Sequence, residues 1–340
     1  MITSLVQPLF EGSLDIVGDV HGEVGALKAL IGALGYEASG AHPDGRHLVF
    51  VGDLIDRGPD SPAVVKLVRQ LIESGHAQGI LGNHELNLVH KKRKAGNHWF
   101  FGDAERTGGP GTPDFESVLL DDEGERAALL SFFGSLPLAL EREDLRVVHA
   151  QWEEAAIKRV RGQSLDSCDV AGTPHPEDEE GRTRLAALGA ALHDASRMPA
   201  YDPLLARFQE RKQKNSVTKL LTSGAEIPIT GEEPFFGGGS WRFVQRDDWW
   251  SRYRGTPVVV GHYWRPRTVG QKSTLPQVGP EGWWGDIYCI DYCVGRRFED
   301  RANGVKNDFK HALAALRWPE QEVVFDDGTR VQAALSPGRR

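Results

Sequence analysis

Leu14-Asp15-Ile16-Val17-Gly18-Asp19-Val20-His21-Gly22 is the stretch from which the fold can be read. Its apolar run, rich in Val and Ile, predicts a strand over 14–20, and glycines bracket the aspartate and histidine at its end. Immediately afterwards Glu23 to Leu34 reads as a helix, since Leu27, Leu30, Ile31 and Leu34 recur at spacings that share one helical face. The unit then repeats. His47 to Gly52 predicts a second strand, and Ser61 to Glu73 a second helix with Ser61 as its N-cap and Pro62 at its first position. Gln78 to Leu81 predicts a third strand, followed by a helix from His84. Strands alternating with amphipathic helices are βαβ units, which build a parallel or mixed sheet.

Further along, the pattern changes. From about 151 to 250 the acidic, Pro-bearing run Thr173 to Gly181 and the glycines Gly237 to Gly239 predict loops around a mainly helical insertion or cap. Strand patterns resume at Pro257 to Gly261 and Ile287 to Asp291, Val323 to Phe325 is expected to close the sheet, and Ser336 to Arg340 to fray. With 340 residues the protein can bury one large core, so a single domain spanning 1–340 with the insertion at 151–250 is the expected organisation. A net charge of -8 argues against a nucleic-acid polymer as partner. No stretch of about 18 apolar residues predicts a membrane span. Cys168, Cys289 and Cys293 are too few and scattered for a disulfide framework, which fits a reducing, cytoplasmic setting.

The polar residues concentrate where strands end. Gly18-Asp19-Val20-His21-Gly22, Gly52-Asp53-Leu54-Ile55-Asp56-Arg57-Gly58 and Gly82-Asn83-His84-Glu85 each follow a predicted strand, and His149 and His262 end two later ones. Ligands of open α/β sheets bind beyond the carboxyl ends of the strands, so these loops would converge on one crevice. Together they supply carboxylates, imidazoles and one carboxamide. That mixture suits a pair of divalent ions, because a carboxylate can bridge two cations and imidazole nitrogen favours transition metals; magnesium alone would ask for fewer imidazoles. Two such ions about 3.5–4 Å apart clamp a phosphate and activate a water for hydrolysis. Taken singly, Asp19 or Asp53 could be a helix cap and His149 or His262 a hydrogen-bonded core histidine; the joint pattern favours the metal site.

Asp-X-His-Gly, Gly-Asp-X-X-Asp-Arg-Gly and Gly-Asn-His-Glu, in that order and followed by two isolated histidines, resemble the calcineurin-like metallophosphoesterase superfamily, in its phosphoprotein-phosphatase-type branch. The resemblance covers 14–92, 145–150 and 256–292 and implies an α/β sandwich of two mixed β-sheets flanked by helices. It implies that Asp19, His21 and Asp53 hold one metal, with Asp53 bridging to a second held by Asn83, His149 and His262. It also implies that His84 protonates the leaving group, Asp56 orients His84 and Arg57 grips phosphate oxygens. The cofactors implied are two divalent metal ions, manganese first, with iron or zinc as alternatives. The Asp56-Arg57 pair is similar to serine/threonine protein phosphatases. Ile80 to Leu88, Gly261-His262-Tyr263-Trp264 and the 288–318 tail are more similar to symmetrical diadenosine tetraphosphate hydrolases. A phosphorylated small molecule, a dinucleoside polyphosphate or a phosphoprotein is therefore the expected substrate, and a non-catalytic metal- or phosphate-binding protein is the alternative. A second phosphate-binding arginine is expected among Arg211, Arg242, Arg246, Arg252 and Arg254. Lys91-Lys92-Arg93-Lys94 reads either as steering for a polyanion or as a solvated helix end. Trp241, Trp249, Trp250, Trp283 and Trp284 read as packing before base stacking.

Overall fold

The computed structural model describes residues 4–102, 115–168, 175–231, 233–237, 239–267 and 282–333. Its strands, in chain order, are β1 (Val6–Pro8), β2 (Leu14–Val17), β3 (His47–Phe50), β4 (Ala77–Gly79), β5 (Ala139–Glu141), β6 (Arg146–Val148), β7 (Glu226–Pro228), β8 (Phe235–Gly237), β9 (Ser240–Arg242), β10 (Val244–Arg246), β11 (Val258–Val260), β12 (Ile287–Cys289), β13 (Ala314–Trp318), β14 (Glu322–Phe325) and β15 (Arg330–Gln332). Two mixed sheets dominate, one of five strands in the order β1-β5-β6-β11-β12 and one of six in the order β15-β14-β13-β2-β3-β4. In the first, β6, β11 and β12 run parallel. In the second, β2, β3 and β4 run parallel.

Alternation along the strands makes the sandwich. Ile16, Val49 and Ile80 join Val147, Val259 and Tyr288 in one buried cluster between the sheets. Their neighbours Val17, Leu48, Phe50, Val258 and Val260 point the other way, into the cluster formed with the flanking helices. Of those helices, Val24–Leu34 buries Ala26, Leu27, Leu30 and Leu34. It ends where Gly35 turns left-handed at φ 95 and its N–H donates to Gly32 O. The expected sandwich of two mixed sheets is therefore present.

Several local expectations are corrected. The helix Ser61–Glu73 is capped by Asp60, whose side chain accepts from Ala63 N, while the Ser61 hydroxyl accepts from Asp56 N at 2.9 Å instead. β14 does not close its sheet, because β15 pairs outside it. Part of the acidic run is helix, not loop, as Asp178, Glu179 and Glu180 form the first turn of Asp178–Leu188, where negative charge suits the helix dipole. Between β6 and β11 lie the helices Glu154–Val160, Leu165–Cys168, Asp178–Leu188, Pro203–Lys214 and Val217–Ser223, but also two small antiparallel sheets of two strands each, β7 with β10 and β8 with β9. Those strands are too short to carry a readable period. Leu205, Ala206, Phe208, Trp241, Phe243 and Val244 form a separate buried cluster in this segment. The end 336–340, expected to fray, lies outside the described residues.

Candidate metal centre

Six strand ends converge here, three from each sheet. Beyond β2 come Asp19 and His21, beyond β3 Asp53, Asp56 and Arg57, and beyond β4 the helix Asn83–Val89 with Asn83 and His84 in its first turn. From the other sheet come His149 after β6, His262 after β11 and Asp291 after β12. The turns are sharp: His21, Asp53, Asp56, Arg57 and His262 all adopt positive φ, at 46, 46, 73, 69 and 64. A left-handed non-glycine residue costs on the order of 1–3 kcal/mol, and the local hydrogen bonds offset that strain. Asp53 O accepts from both Val20 N and His21 N at 3.0 and 2.9 Å. The buried Glu85 carboxylate accepts from Asp53 N, Leu54 N and Gly82 N at 2.9, 2.8 and 2.9 Å, tying the second loop to the third. Gly82 and Gly261 have no room for a side chain, since a Cβ on either would run into the carboxylate of Asp53 or Asp19 respectively.

Asp53 stands at the centre. Its Oδ2 lies 3.3 Å from His149 Nε2, 3.8 Å from His21 Nε2 and 3.9 Å from His84 Nε2. It is common to two sets of possible ligand atoms, His21 with Asp53 and His84, and Asp53 with His149 and His262. Asp19 Oδ2 is 4.0 Å from His21 Nε2, and the Asp19 carboxylate accepts from His262 N at 3.0 Å. The Asn83 carboxamide lies 3.3 Å from His149 Nε2 and, with its amide nitrogen turned toward it, 2.7 Å from His262 Nδ1. Turned over, the same amide presents its oxygen at that point.

The donor chemistry fits divalent cations. His21 Nδ1 lies 3.0 Å from Ile55 O and His149 Nδ1 2.7 Å from Val51 O, so each donates there and turns the lone pair of Nε2 inward. Burial, then Arg57 and His84, holds His21 well below its ordinary pKa, which keeps that lone pair free. Burial also holds His262 low, with Arg246 and His149 adding to it. Burial pushes the Asp53 carboxyl up, yet the imidazoles of His149, His84 and His21 outweigh it and hold the group well below the usual range. Asp19 is driven the other way by burial and by the carboxylates of Asp291 and Asp53. Asp291 is 1 % exposed, and its Oδ2 has no hydrogen-bond partner among the described residues. Crowded buried carboxylates and inward-facing lone pairs are what a cation would stabilise. Two guanidiniums already lean on these nitrogens: Arg57 Nη1 is 3.1 Å from His21 Nε2, and Arg246 Nη1 is 2.6 Å from His262 Nε2.

His84 has a separate partner. Its Nδ1 is 2.6 Å from Asp56 Oδ2, and Asp56 Oδ1 accepts from Trp99 Nε1 at 2.7 Å, all three side chains being buried. Burial lowers the pKa of His84, but Asp53 and Asp56 outweigh it, so the ring holds a proton more readily than usual. Arg57 Nη2 sits 3.4 Å from His84 Nε2.

Residues 13–181 match the family model for calcineurin-like phosphoesterases. The symmetrical bis(5'-nucleosyl)-tetraphosphatase of Ralstonia nicotianae is 31% identical over 287 residues, covering 79% of this protein and 85% of its own length. The chain belongs to the calcineurin-like phosphoesterase family. Within that family, the asymmetrical bis(5'-nucleosyl)-tetraphosphatase PrpE of Halalkalibacterium halodurans is 52% identical over 73 residues, which is 21% of this protein and 30% of its own length. The match thus spans about a third of the length of such relatives. The cold-active protein-tyrosine phosphatase of a Shewanella species aligns over 98% of this protein and 83% of its own length, at 13% identity and a TM-score of 0.46.

All nine residues singled out in the sequence lie in this calcineurin-like cluster: Asp19, His21, Asp53, Asn83, His149, His262, His84, Asp56 and Arg57. Among the five arginines left open, Arg246 reaches a site histidine. Arg211 pairs with Glu177 and Asp178, Arg242 with Glu226, and Arg252 with Asp247 and Asp248, while Arg254 donates to backbone carbonyls. Trp241, Trp249, Trp250, Trp283 and Trp284 are buried, so packing is what they do. Sequence reasoning missed Trp99, Asp291 and the tying role of Glu85. Glu85 was within a quoted motif and Asp291 ended a predicted strand, whereas nothing local marked Trp99.

Proposed function

We propose that this protein is a metal-dependent phosphohydrolase that cleaves a phosphate ester or phosphoanhydride, and that 151–250 forms a cap over its site. The observation that carries the reading is the convergence of buried carboxylates and inward imidazole lone pairs on Asp53, with the His84-Asp56-Trp99 relay beside it. Asp19, His21 and Asp53 would hold one divalent ion, and Asp53, Asn83, His149 and His262 the other. Such a pair, with manganese as the first candidate and iron or zinc behind it, supplies Lewis acidity and a nucleophile at neutral pH.

The protein's own groups do the rest. Arg57 presents a planar guanidinium that binds two phosphate oxygens at once. Arg246, 2.6 Å from His262 Nε2, would join it: with Nδ1 of neutral His262 given to a cation, Nε2 would carry the proton and the arginine could turn to the phosphate. A water oxygen forms the new bond to phosphorus, the bond to the leaving oxygen breaks, and His84 Nε2–H delivers a proton to that oxygen. Asp56, fixed by Trp99, holds the His84 tautomer and stabilises the charged ring.

A dinucleoside polyphosphate is the substrate class supported by the relatives' names, with phosphoprotein as the second. A cytoplasmic setting fits the two buried free cysteines Cys289 and Cys293, and among the described residues no helix is long and apolar enough to cross a membrane. The test is kcat/KM of the manganese-loaded protein on nitrophenyl phosphate, a phosphopeptide and a dinucleoside tetraphosphate. Two bound ions with no turnover of any of the three would replace this reading with a non-catalytic metal-binding protein.

A further inference from the structure

One wall of the site continues into an open trough of about 480 Å³ that runs from Asn83 and His262 to the face of the 151–250 segment. Its lining carries Lys92, Lys94, Lys212, Lys219, Arg242 and Arg246, and the acid among the lining residues, Glu226, is paired with Arg242. A protein of net charge -8 therefore gathers six cations on one side of a phosphate site. Lys92 and Lys94 belong to the basic run that follows the His84 helix, and Lys212 and Lys219 come from the helices Pro203–Lys214 and Val217–Ser223. Cleft cations of one sign focus the field on a polyanion and raise its local concentration. Among the described lining residues, Phe208 is the one Phe, Tyr or Trp, and it is 5 % exposed and locked in the segment's own cluster, so it offers no face on which a base could stack.

We propose that this trough reads a run of consecutive phosphoanhydride-linked phosphates beyond the scissile one, that Lys92, Lys94, Lys212 and Lys219 are its specificity residues, and that the group capping the run goes unread. The inference rests on the phosphohydrolase reading. It extends that reading from a named ester or anhydride to the length of the phosphate run. Water adds to one phosphorus of the run, the bridging P–O bond on its far side breaks, and the run leaves as two shorter fragments, one of them inorganic phosphate only where that end of the run is uncapped. The bridging oxygen stays with the fragment that did not take up the water. The shared ligand chemistry is the phosphoanhydride run, whether inorganic or nucleoside-capped.

The experiment compares nitrophenyl phosphate, inorganic triphosphate, a dinucleoside tetraphosphate and a phosphopeptide on the metal-loaded protein, with Lys212→Glu/Lys219→Glu and Lys92→Glu/Lys94→Glu as variants. Each pair should raise KM for both polyphosphates roughly 10–100-fold while kcat, metal content and nitrophenyl phosphate turnover stay unchanged. Raising the ionic strength should raise KM for the polyphosphates in the wild type and much less in the variants. Equal losses on nitrophenyl phosphate and polyphosphates, or no change in either pair, would overturn the proposal. So would a preference of two orders of magnitude for the nucleoside-capped run over the inorganic one, or for the phosphopeptide over both. If no substrate turns over, the phosphohydrolase reading fails by itself; calorimetric binding of inorganic triphosphate to the same variants then decides the trough independently, and undiminished binding would refute it.

Discussion

Asn83 and His262 belong both to the strand-end centre and to the trough beside it, yet the two regions are built differently. The centre places carboxylates and imidazoles in the turns at the ends of parallel strands, with His21, Asp53, Asp56, Arg57 and His262 on left-handed backbone and side chains braced by second partners such as Ile55 O, Val51 O and Trp99 Nε1. The trough takes its lysines from the loop after the Asn83–Val89 helix and from two helices of the 151–250 segment, with Lys92, Lys94 and Lys212 exposed and Lys219 half-buried. Moving a reacting atom by an ångström can cost about 10²-fold in rate, whereas a lysine contacts phosphate as a mobile point charge. Chemistry therefore needs the rigid strand ends, and selection by charge tolerates the looser wall.

Breaking the centre should have the largest effect. Asp53→Asn removes the charge shared by both sets of ligand atoms, so elemental analysis should find both ions depleted and kcat/KM should fall on the order of 10³-fold or more on every substrate. Two ions retained at ordinary affinity would end the bridging assignment.

Next comes the proton. His84→Asn should keep its metals and lose roughly 10²–10⁴-fold on alkyl phosphates, with a distinctly smaller loss on nitrophenyl phosphate, whose leaving group departs without protonation. Asn83→Ala, one residue earlier, should instead lose metal and harm both substrates alike. A His84 variant that fell equally across leaving groups of graded pKa would reassign the ring to positioning.

A smaller effect tests how firmly the centre is braced. Trp99 is fully buried, and Trp99→Phe leaves Asp56 Oδ1 without its donor, a loss of about 1–3 kcal/mol in stability. Activity on alkyl phosphates should fall by about 10-fold or less and with the same leaving-group dependence as His84→Asn, because the imidazole is loosened and not removed. Unchanged kinetics together with lost stability would make Trp99 a packing residue alone.

The smallest effect on basal chemistry should come from the 151–250 segment. Phe208 anchors a cluster of its own, and Phe208→Ala should cost that segment about 3–5 kcal/mol. Metal content and kcat on nitrophenyl phosphate should stay within about twofold while KM rises, most for inorganic triphosphate, since local unfolding disperses Lys212, Lys219 and the strand that carries Arg246 and spares the sandwich. A collapse of metal binding in this variant would show that the two regions do not stand apart.

The parallel strands of the sandwich and the residues that meet at their ends were legible in the sequence, because strand periodicity, glycine turns and ligand-type side chains are local features. Asp19, His21, Asp53, Asn83, His84, His149 and His262 could all be named because each closes a strand whose end is marked in the sequence. Folding in three dimensions settled what had no local mark. Trp99 reaches Asp56 across 43 positions, and Arg246 comes to His262 because β10 pairs with β7. Asp291 faces Asp19 because β2 and β12 belong to different sheets whose carboxyl ends meet. The paired strands of the 151–250 segment are three residues each, too short to impose a period, and their packing around Phe208 and Trp241 selects them. Of the trough's charge, the run 91–94 was legible as a candidate for steering a polyanion, but Lys212 and Lys219 are far from it in sequence and join its wall only after folding.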